Sequence, residues 1–418
     1  MNPPPMNRNR RLFWINPKCF SSISLSAVLL LFLSGCSQTP TDSTEQTVTI
    51  LGVVTDEQQV SLEASLVPFE EATGIDVIYE GTDDFANVLP ERVAAGNAPD
   101  LAMFPQPGLM AKFAEAGELV PIANFLESGT LQAAYNDAWI DLGTFDNETY
   151  AIWFRASVKS LVWYSPTAFE AKAYEIPQTW PELIALSDRI VKDGETPWCL
   201  GLESGSATGW PATDWIEDIM LRTAGPEAYS QWIDHRLPFS SPQVVRAFDE
   251  FGKILRSPQY IDGGADNTVT TAFNEAPDGL FNNPPDCYLH KQASFITEFF
   301  QEGKIPRSDY DVFPLPGIDD RFGTPILVAG DAFGMFNETP EARALMAYLV
   351  TPTPHEVWAT RGGFISPHRQ ISSDVYPDAV SQKIALILAN ADVVQFDGSD
   401  MMPSKVGTGT SVVDAPLA

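Results

Sequence analysis

Three times between Thr47 and Gly117 a short apolar run is followed by a segment with helical spacing or the reverse, and no other feature restricts the fold so sharply. Val48 to Val54 reads as a buried strand, Val60, Leu66, Val67 and Phe69 mark a helix that ends at Gly74, and Ile75 to Tyr79 reads as a second strand. Asp84 to Ala95 is helical in pattern, Asp100 to Phe104 is a third short strand after Pro99, and Leu109 to Ala116 is a helix stopped by Gly117. Strands without a polar face must be covered on both sides, so this rhythm predicts a parallel sheet between helices. The ligand-facing loops of such a sheet lie at the carboxyl ends of its strands, here Thr55-Asp56-Glu57, Gly81 to Asp84 and Pro105 to Gly108.

A second body is expected to begin after Tyr150 to Arg155, because Leu161 to Tyr164 is strand-like and Ser165-Pro166 opens a new helix. Trp180 to Phe300 reads as mostly helical, broken at Pro197, Gly209-Trp210-Pro211, Pro238 and Pro284-Pro285. About 380 residues follow the amino-terminal leader, more than one ordinary core holds, so two domains are the default.

In that leader Arg8, Arg10, Arg11 and Lys18 precede an apolar run from Ile23 to Leu33, shorter than the roughly 20 residues a membrane span needs. Leu33-Ser34-Gly35-Cys36 closes the run as a bacterial lipoprotein signal does. Residues 1–35 therefore read as a cleaved leader, Cys36 as the lipidated residue, and 36–46 as a flexible polar tether. The expected location is the periplasmic side of the inner membrane, or the outer face of the cell membrane, held there by lipid. The leader carries four of the 25 Lys+Arg and none of the 55 Asp+Glu, which leaves 21 against 55 and a formal charge of −34. Such a surface repels nucleic acid and anionic lipid and disfavours an anionic ligand. Cys199 and Cys287 are the cysteines left once Cys36 carries lipid, and in an oxidising compartment one disulfide is their natural pairing, with two separate buried thiols as the alternative.

Enzyme signatures are sparse. The chain has no Gly-x-Ser-x-Gly elbow and no Gly-x-x-x-x-Gly-Lys loop. His355-Glu356 begins like a zinc-protease helix, but Ala359 stands where the second His would fall, so neither a metal site nor a cofactor is expected. Asp214, Glu217 and Asp218 could pair as glycosidase carboxylates, yet in so acidic a chain they read first as a solvated helix face. Glu203 to Trp215 combines aromatic rings with polar groups in a loop, which suits a polyhydroxylated ligand. A ring covers the C–H face of a pyranose while carboxylates and amides take its hydroxyls. Trp210, between Gly209 and Pro211, reads as a ligand contact and Trp215 as core, while Trp153 suits either lining or filling a cleft, and Arg155 suits either binding ligand or, the reading favoured, pairing with a cleft acid.

Ala98 to Gly108, Gly201 to Asp214 with Trp210 and Thr213-Asp214, Phe295-Ile296-Thr297 after Cys287, Val328 to Asp331, and Gly362 to Pro367 together carry a family resemblance. From about 47 to 410 the chain resembles the extracellular solute-binding proteins of ABC sugar importers, the group that includes maltose-binding protein, and most closely its α-glucoside-binding branch. The resemblance implies an α/β, two-lobed type II periplasmic-binding-protein fold, each lobe a mostly parallel sheet flanked by helices, with the ligand cleft at the hinge. Residues 47–155 plus 331–366 would form the first lobe and 161–326 plus 367–418 the second. Hinge crossovers would fall at 156–160 and 327–330, with a third crossing near Pro367. Family members usually continue past Val406 to Thr410 with another amphipathic helix, whereas this chain stops at Ala418, so either the second lobe manages without that helix or the reading frame is truncated. Carried residue by residue, the resemblance implies ligand contacts from Asp56, Glu57 and Gln106 in the first lobe, Glu203 and Trp210 in the second, and Asp331, Gly363 and Phe364 on the return segments. The implied role is a lipid-anchored monomer that delivers a neutral glucoside, such as trehalose, sucrose, a maltose-type sugar or glucosylglycerol, to an ABC permease with its cytoplasmic ATPase. The competing readings are a surface glycoside hydrolase, and a polyamine or oligopeptide receptor on the same scaffold.

Overall fold

A computed structural model describes residues 46–402. The leader, Cys36, the tether before Gln46 and the Val406 to Thr410 stretch lie outside the described residues.

Thr47–Gly52 forms strand β1, and helix α1, Asp56–Thr73, follows it. Asp56 and Glu57 sit in the first turn of α1, where carboxylates favour the positive end of the helix, and Gly74 ends it in the left-handed conformation. Leu62, Leu66 and Phe69, spaced by helical turns, are the face buried on the sheet. Strand β2 (Asp76–Gly81), helix α2 (Phe85–Ala94), strand β3 (Leu101–Phe104) and helix α3 (Pro107–Glu115) complete the expected rhythm. Strands β4 (Ile152–Val158) and β5 (Leu161–Tyr164) come next, then helices α4 (Trp180–Lys192), α5 (Trp210–Ile233) and α6 (Pro242–Leu255). Strands β6 (Leu289–Lys291), β7 (Asp311–Pro314) and β8 (Ile326–Met335) follow. Helices α7 (Pro340–Leu349), α8 (Pro352–Ala359) and α9 (Ala379–Ala389), strand β9 (Val394–Phe396) and the short helical turn α10 (Gly398–Met401) complete the described chain.

The first sheet runs β9-β8-β3-β1-β2, with β4 also on β8. Its amino-terminal strands are parallel as expected, and β8 returns antiparallel to both β3 and β4. Val328 pairs with Val158, Gly330 with Ala156 and Asp331 with Arg155, so the two segments expected as crossovers lie side by side. Gly330 permits this approach, because a Cβ there would collide with the Arg155 carbonyl. Ser160 fastens the pair: its hydroxyl accepts from the Leu327 amide and donates to Asp218, both at 2.8 Å. A third segment joins them where the Ala156 amide donates to the Ile365 carbonyl at 2.8 Å.

The second sheet differs from expectation. Strand β5 lies between β6 and β7, and both pairings are antiparallel. The strand-helix rhythm is not repeated after Tyr164, and antiparallel neighbours need no crossover helix between them. Residues 256–288, expected to continue the helical block, hold only the short turns Ala265–Asn267 and Ala276–Phe281, consistent with Gly263-Gly264, Pro277, Gly279 and Pro284-Pro285. Strand β9, expected with the second lobe, pairs instead with the start of β8 in the first sheet. One core surrounds the first sheet and reaches Ile296 and Val312, and another gathers Val162, Trp198, Trp215, Ile219 and Phe251. Cys199 and Cys287 form the expected disulfide, their Cα atoms 5.4 Å apart.

Candidate functional site

The carboxyl ends of the first sheet's strands and the amino end of α5 border one cleft of about 2190 Å³. One wall is the loop at Asp83 and Asp84 with α2 and the start of α3, and the opposite wall is α5 and α6. Its floor is built from Arg155 and Lys159 around the end of β4, Gly330 and Asp331 on β8, and Asp397, Ser399 and Asp400 after β9. Small-molecule sites usually run to roughly 300–1,000 Å³, so this cleft is larger than one small ligand fills.

The floor's cations are neutralised internally. Lys159, 6% exposed, donates to Asp214 Oδ1 at 2.8 Å and also to Asp397. Arg155 Nε donates to Asp331 Oδ2 at 2.5 Å, and its Nη1 donates to Gln58 Oε1 at 2.6 Å. The Gln58 amide in turn donates to Glu298, so α1 is tied to the turn before Phe299. Glu217 accepts from the backbone amides of Gly398 at 2.8 Å and Ser399 at 3.0 Å, and from the Tyr229 hydroxyl at 3.2 Å. Asp397 Oδ1 accepts from Ser399 Oγ at 2.7 Å and from the Asp400 amide at 3.1 Å. The whole lining carries eight acidic residues against four basic ones, a balance that opposes an anion.

Burial divides the protons unequally among these acids. It raises Asp214 to about 7 against the pull of Lys159, and with Asp397 beside it raises Asp400 to about 8. Glu217 is also held well above the ordinary carboxylate range, by burial and then by Asp397. Asp397 goes the other way, to about 2: burial opposes its ionisation, but the Lys159 charge and the bonds from Lys159, Ser399 and the Asp400 amide outweigh it. The floor is therefore an array of hydrogen-bonding carboxyls around a neutralised lysine.

Of the residues singled out from sequence, Gln106, Trp210 and Asp331 meet on the cleft lining. Gln106 precedes α3, and its Nε2 donates to Asp400 Oδ1 at 3.3 Å. Trp210 opens α5 with its ring half-buried, backed by Phe273 at 5.1 Å and Phe295 at 6.0 Å between ring centres. Lys159 Nζ lies 5.5 Å from the Trp210 ring centre. Arg155 makes the expected ion pair, with Asp331 as its partner.

Others lie elsewhere. Asp56 and Glu57 stay exposed on the first turn of α1, and Gln58 is the residue of that turn that reaches the Arg155 cluster. Glu203 Oε1 accepts from the Gly205 amide at 2.7 Å, and its backbone pairs with Ala272, so it shapes the loop before Trp210. Gly363, at φ +64°, turns its bare Cα toward Glu298. Phe364 is 2% exposed and stacks on Trp358, the ring centres 4.9 Å apart, which makes it core and corrects the expectation of a ligand contact. Trp215 stacks on Phe251, and Trp153 is buried between Trp139 and Phe396.

Asp214, Glu217 and Asp218 are all buried, against the reading of a solvated helix face. Their helix carries Trp215, Ile216, Ile219, Met220 and Leu221 around the same turns, so it has no free side to give to water. That composition was the available signal for Glu217. Nothing comparable marked Lys159, Asp397 or Asp400, whose roles depend on contacts across the fold. His355 is buried, with Nδ1 2.8 Å from Ser366 Oγ and Nε2 3.1 Å from the Leu349 carbonyl, as a packing residue would be. Among the described residues no group of three or more His, Cys, Asp or Glu could hold a metal ion, and no helix is long and apolar enough to cross a membrane.

The profile of the family described as bacterial extracellular solute-binding protein matches residues 43–355. The osmoprotective compounds-binding protein GgtB of Synechocystis sp. is 52% identical over 393 residues, which cover 94% of this chain and 93% of the relative. The alpha-glucosides-binding periplasmic protein AglE of Rhizobium meliloti is 42% identical over 380 residues, covering 88% and 83%. Among solved structures, the bacterial solute receptor AcbH, described by an exclusive preference for β-D-galactopyranose, superposes with a TM-score of 0.74 at 20% identity, covering 87% of this chain and 91% of that one. Maltose-bound MalE3 of T. maritima gives a TM-score of 0.64 at 16% identity, covering 88% and 98%. At such identities the structural likeness speaks to fold alone.

Proposed function

The chain belongs to the bacterial extracellular solute-binding protein family and has its type II periplasmic-binding fold, and on that premise we propose that it captures a neutral glucoside for an ABC importer. The observation that carries this reading is the floor chemistry: Arg155 and Lys159 are both neutralised by carboxylates, while Trp210, Gln106, Asp331 and Asp400 present a ring face and hydrogen-bonding groups to one cleft. A neutral polyol satisfies those groups without adding charge, whereas a phosphate or carboxylate finds both floor cations already paired. GgtB and AglE support a small α-glucoside or a glucosylated osmolyte as the cargo.

In this reading the two sheets centre two lobes, and the paired segments around Ala156 to Ser160 and Leu327 to Gly330 are the hinge on which they close over the ligand. The receptor acts as a monomer tethered by lipid on Cys36, which keeps it within reach of the permease. Radiolabelled fatty acid should enter the wild type and not Cys36→Ala.

Titration with trehalose, sucrose, maltose and glucosylglycerol, followed by Trp fluorescence and calorimetry, tests the cargo. At least one should bind tighter than about 1 mM, equivalent to roughly 4 kcal/mol. Binding of spermidine with none of the four sugars would overturn the reading in favour of a polycation receptor.

A further inference from the structure

The residues after β9 form a strap across the cleft floor. Asp397 caps the α10 turn and holds Lys159, while the amides of Gly398 and Ser399 donate to Glu217 on α5. On its other side the strap presses on α3: a Cβ added at Gly108 would lie 3.0–3.2 Å from the carbonyl oxygens of Asp400, Met401 and Met402. Gln106 Nε2 donates to Asp400 Oδ1 at 3.3 Å from that same helix start. Asp400 is only half-buried and lines the cleft, between a wall from the first sheet and a wall from α5. The adjoining floor also has unused bonding capacity, since Asp214 Oδ2, on a side chain 3% exposed, has no hydrogen-bond partner among the described residues.

We propose that Asp400 is a specificity-determining ligand contact, whose carboxyl reads a ligand hydroxyl beside Gln106 and so makes capture depend on the strap. The assignment rests on the glucoside reading above and names one residue of that site. The charged groups acting on Asp400 are Asp397 from its own strap, Lys159 from β4's end and Asp214 from α5; Glu217 and Tyr229 of α5 bond to the strap at Gly398 and Ser399 and to Phe396 before it, and Lys112 lines the α3 side of the cleft. Burial and the Asp397 charge place its titration near 8, so at neutral pH it carries a proton and both donates to and accepts from a hydroxyl. An ionised carboxylate only accepts. Affinity should then be level below about pH 7.5 and weaken above pH 8, as the donor is lost.

The experiment is calorimetric titration of the full-length protein with the same four sugars at pH 6, 7.5 and 9, beside Asp400→Ala and Asp400→Asn. Wild-type affinity is expected to fall about tenfold between pH 7.5 and pH 9, as one proton's loss above pH 8 requires. Asp400→Ala should bind at least tenfold more weakly at pH 6. Asp400→Asn, which keeps a donor and an acceptor, should bind about threefold more weakly at pH 6 and lose the alkaline fall. Asp400→Ala within twofold of wild type, or Asp400→Asn with the wild-type alkaline fall, overturns the assignment. If Asp400→Ala fails to fold, the pH profile of Asp400→Asn still decides. A wild type that binds none of the sugars overturns the functional reading and this assignment with it, an outcome distinct from either variant result.

Discussion

Trp210 and Trp215 are five residues apart on one helix and do opposite work. Trp210 offers its ring to the cleft with Phe273 and Phe295 behind it, so Trp210→Ala should weaken sugar affinity by about tenfold or more, roughly 1.4 kcal/mol, with little change in Tm. Trp215 fills the second core, and Trp215→Ala should cost about 3–5 kcal/mol of stability, visible in chemical denaturation. Lys159→Met belongs to the same scale. It strips the ammonium from Asp214 and Asp397 and should cost about 3–5 kcal/mol at pH 7, part of which returns as the medium is acidified and those acids protonate. That Gln106 and Trp210 lie on the cleft lining was legible because Gln106 stands in the Pro105 to Gly108 turn after an apolar strand and Trp210 between Gly209 and Pro211. Phe364 could not, because an aromatic residue after Gly362-Gly363 looks the same whether its ring meets a ligand or, as here, Trp358.

At the scale of elements, α5 is two helices joined at a break. Gly225 has φ 84° and ψ 172°, Pro226 starts the second segment, and a Cβ at Gly225 would strike the Phe322 ring. Gly225→Ala should therefore destabilise by about 2–3 kcal/mol in urea unfolding, whereas an unbroken helix would tolerate or welcome the alanine. The disulfide closes a separation of 88 residues between the loop after α4 and the start of β6, and converting both cysteines to alanine should cost about 2–5 kcal/mol. From Thr47 to Gly117 the elements were legible because each strand is apolar along its length and each helix carries a marked stop. The second sheet was not, since β6 and β7 are only three and four residues long and gain their identity by pairing with β5.

Across the whole molecule, buried titratable groups pull stability in opposite directions. His290 is lowered to about 4 and His355 to about 3, both mainly by burial, and His368 is lowered too; each costs stability as pH falls below its ordinary value near 6.5. Asp214, Glu217 and Asp400 are raised, so what they contribute is fully present below about pH 4 and is lost as pH rises, through about 7 for Asp214 and about 8 for Asp400. Asp397 is depressed, and its contribution, present above about pH 4, is lost as pH falls through about 2. The two larger sets oppose each other between about pH 4 and 6.5, so calorimetry should show a plateau in Tm there and a decline from pH 6.5 to 8.5. A Tm that rises over that alkaline interval would contradict the assignment of protons to the floor. The strap adds a consequence in time. A ribosome makes Lys159 and Glu217 well before Asp397 to Ser399, which stand near the end of the described chain, yet the buried contacts of the floor need them together. A chain made only as far as β8 therefore holds Lys159 and Glu217 without the strap that bonds them, and their burial is compensated only once Asp397 to Ser399 have followed.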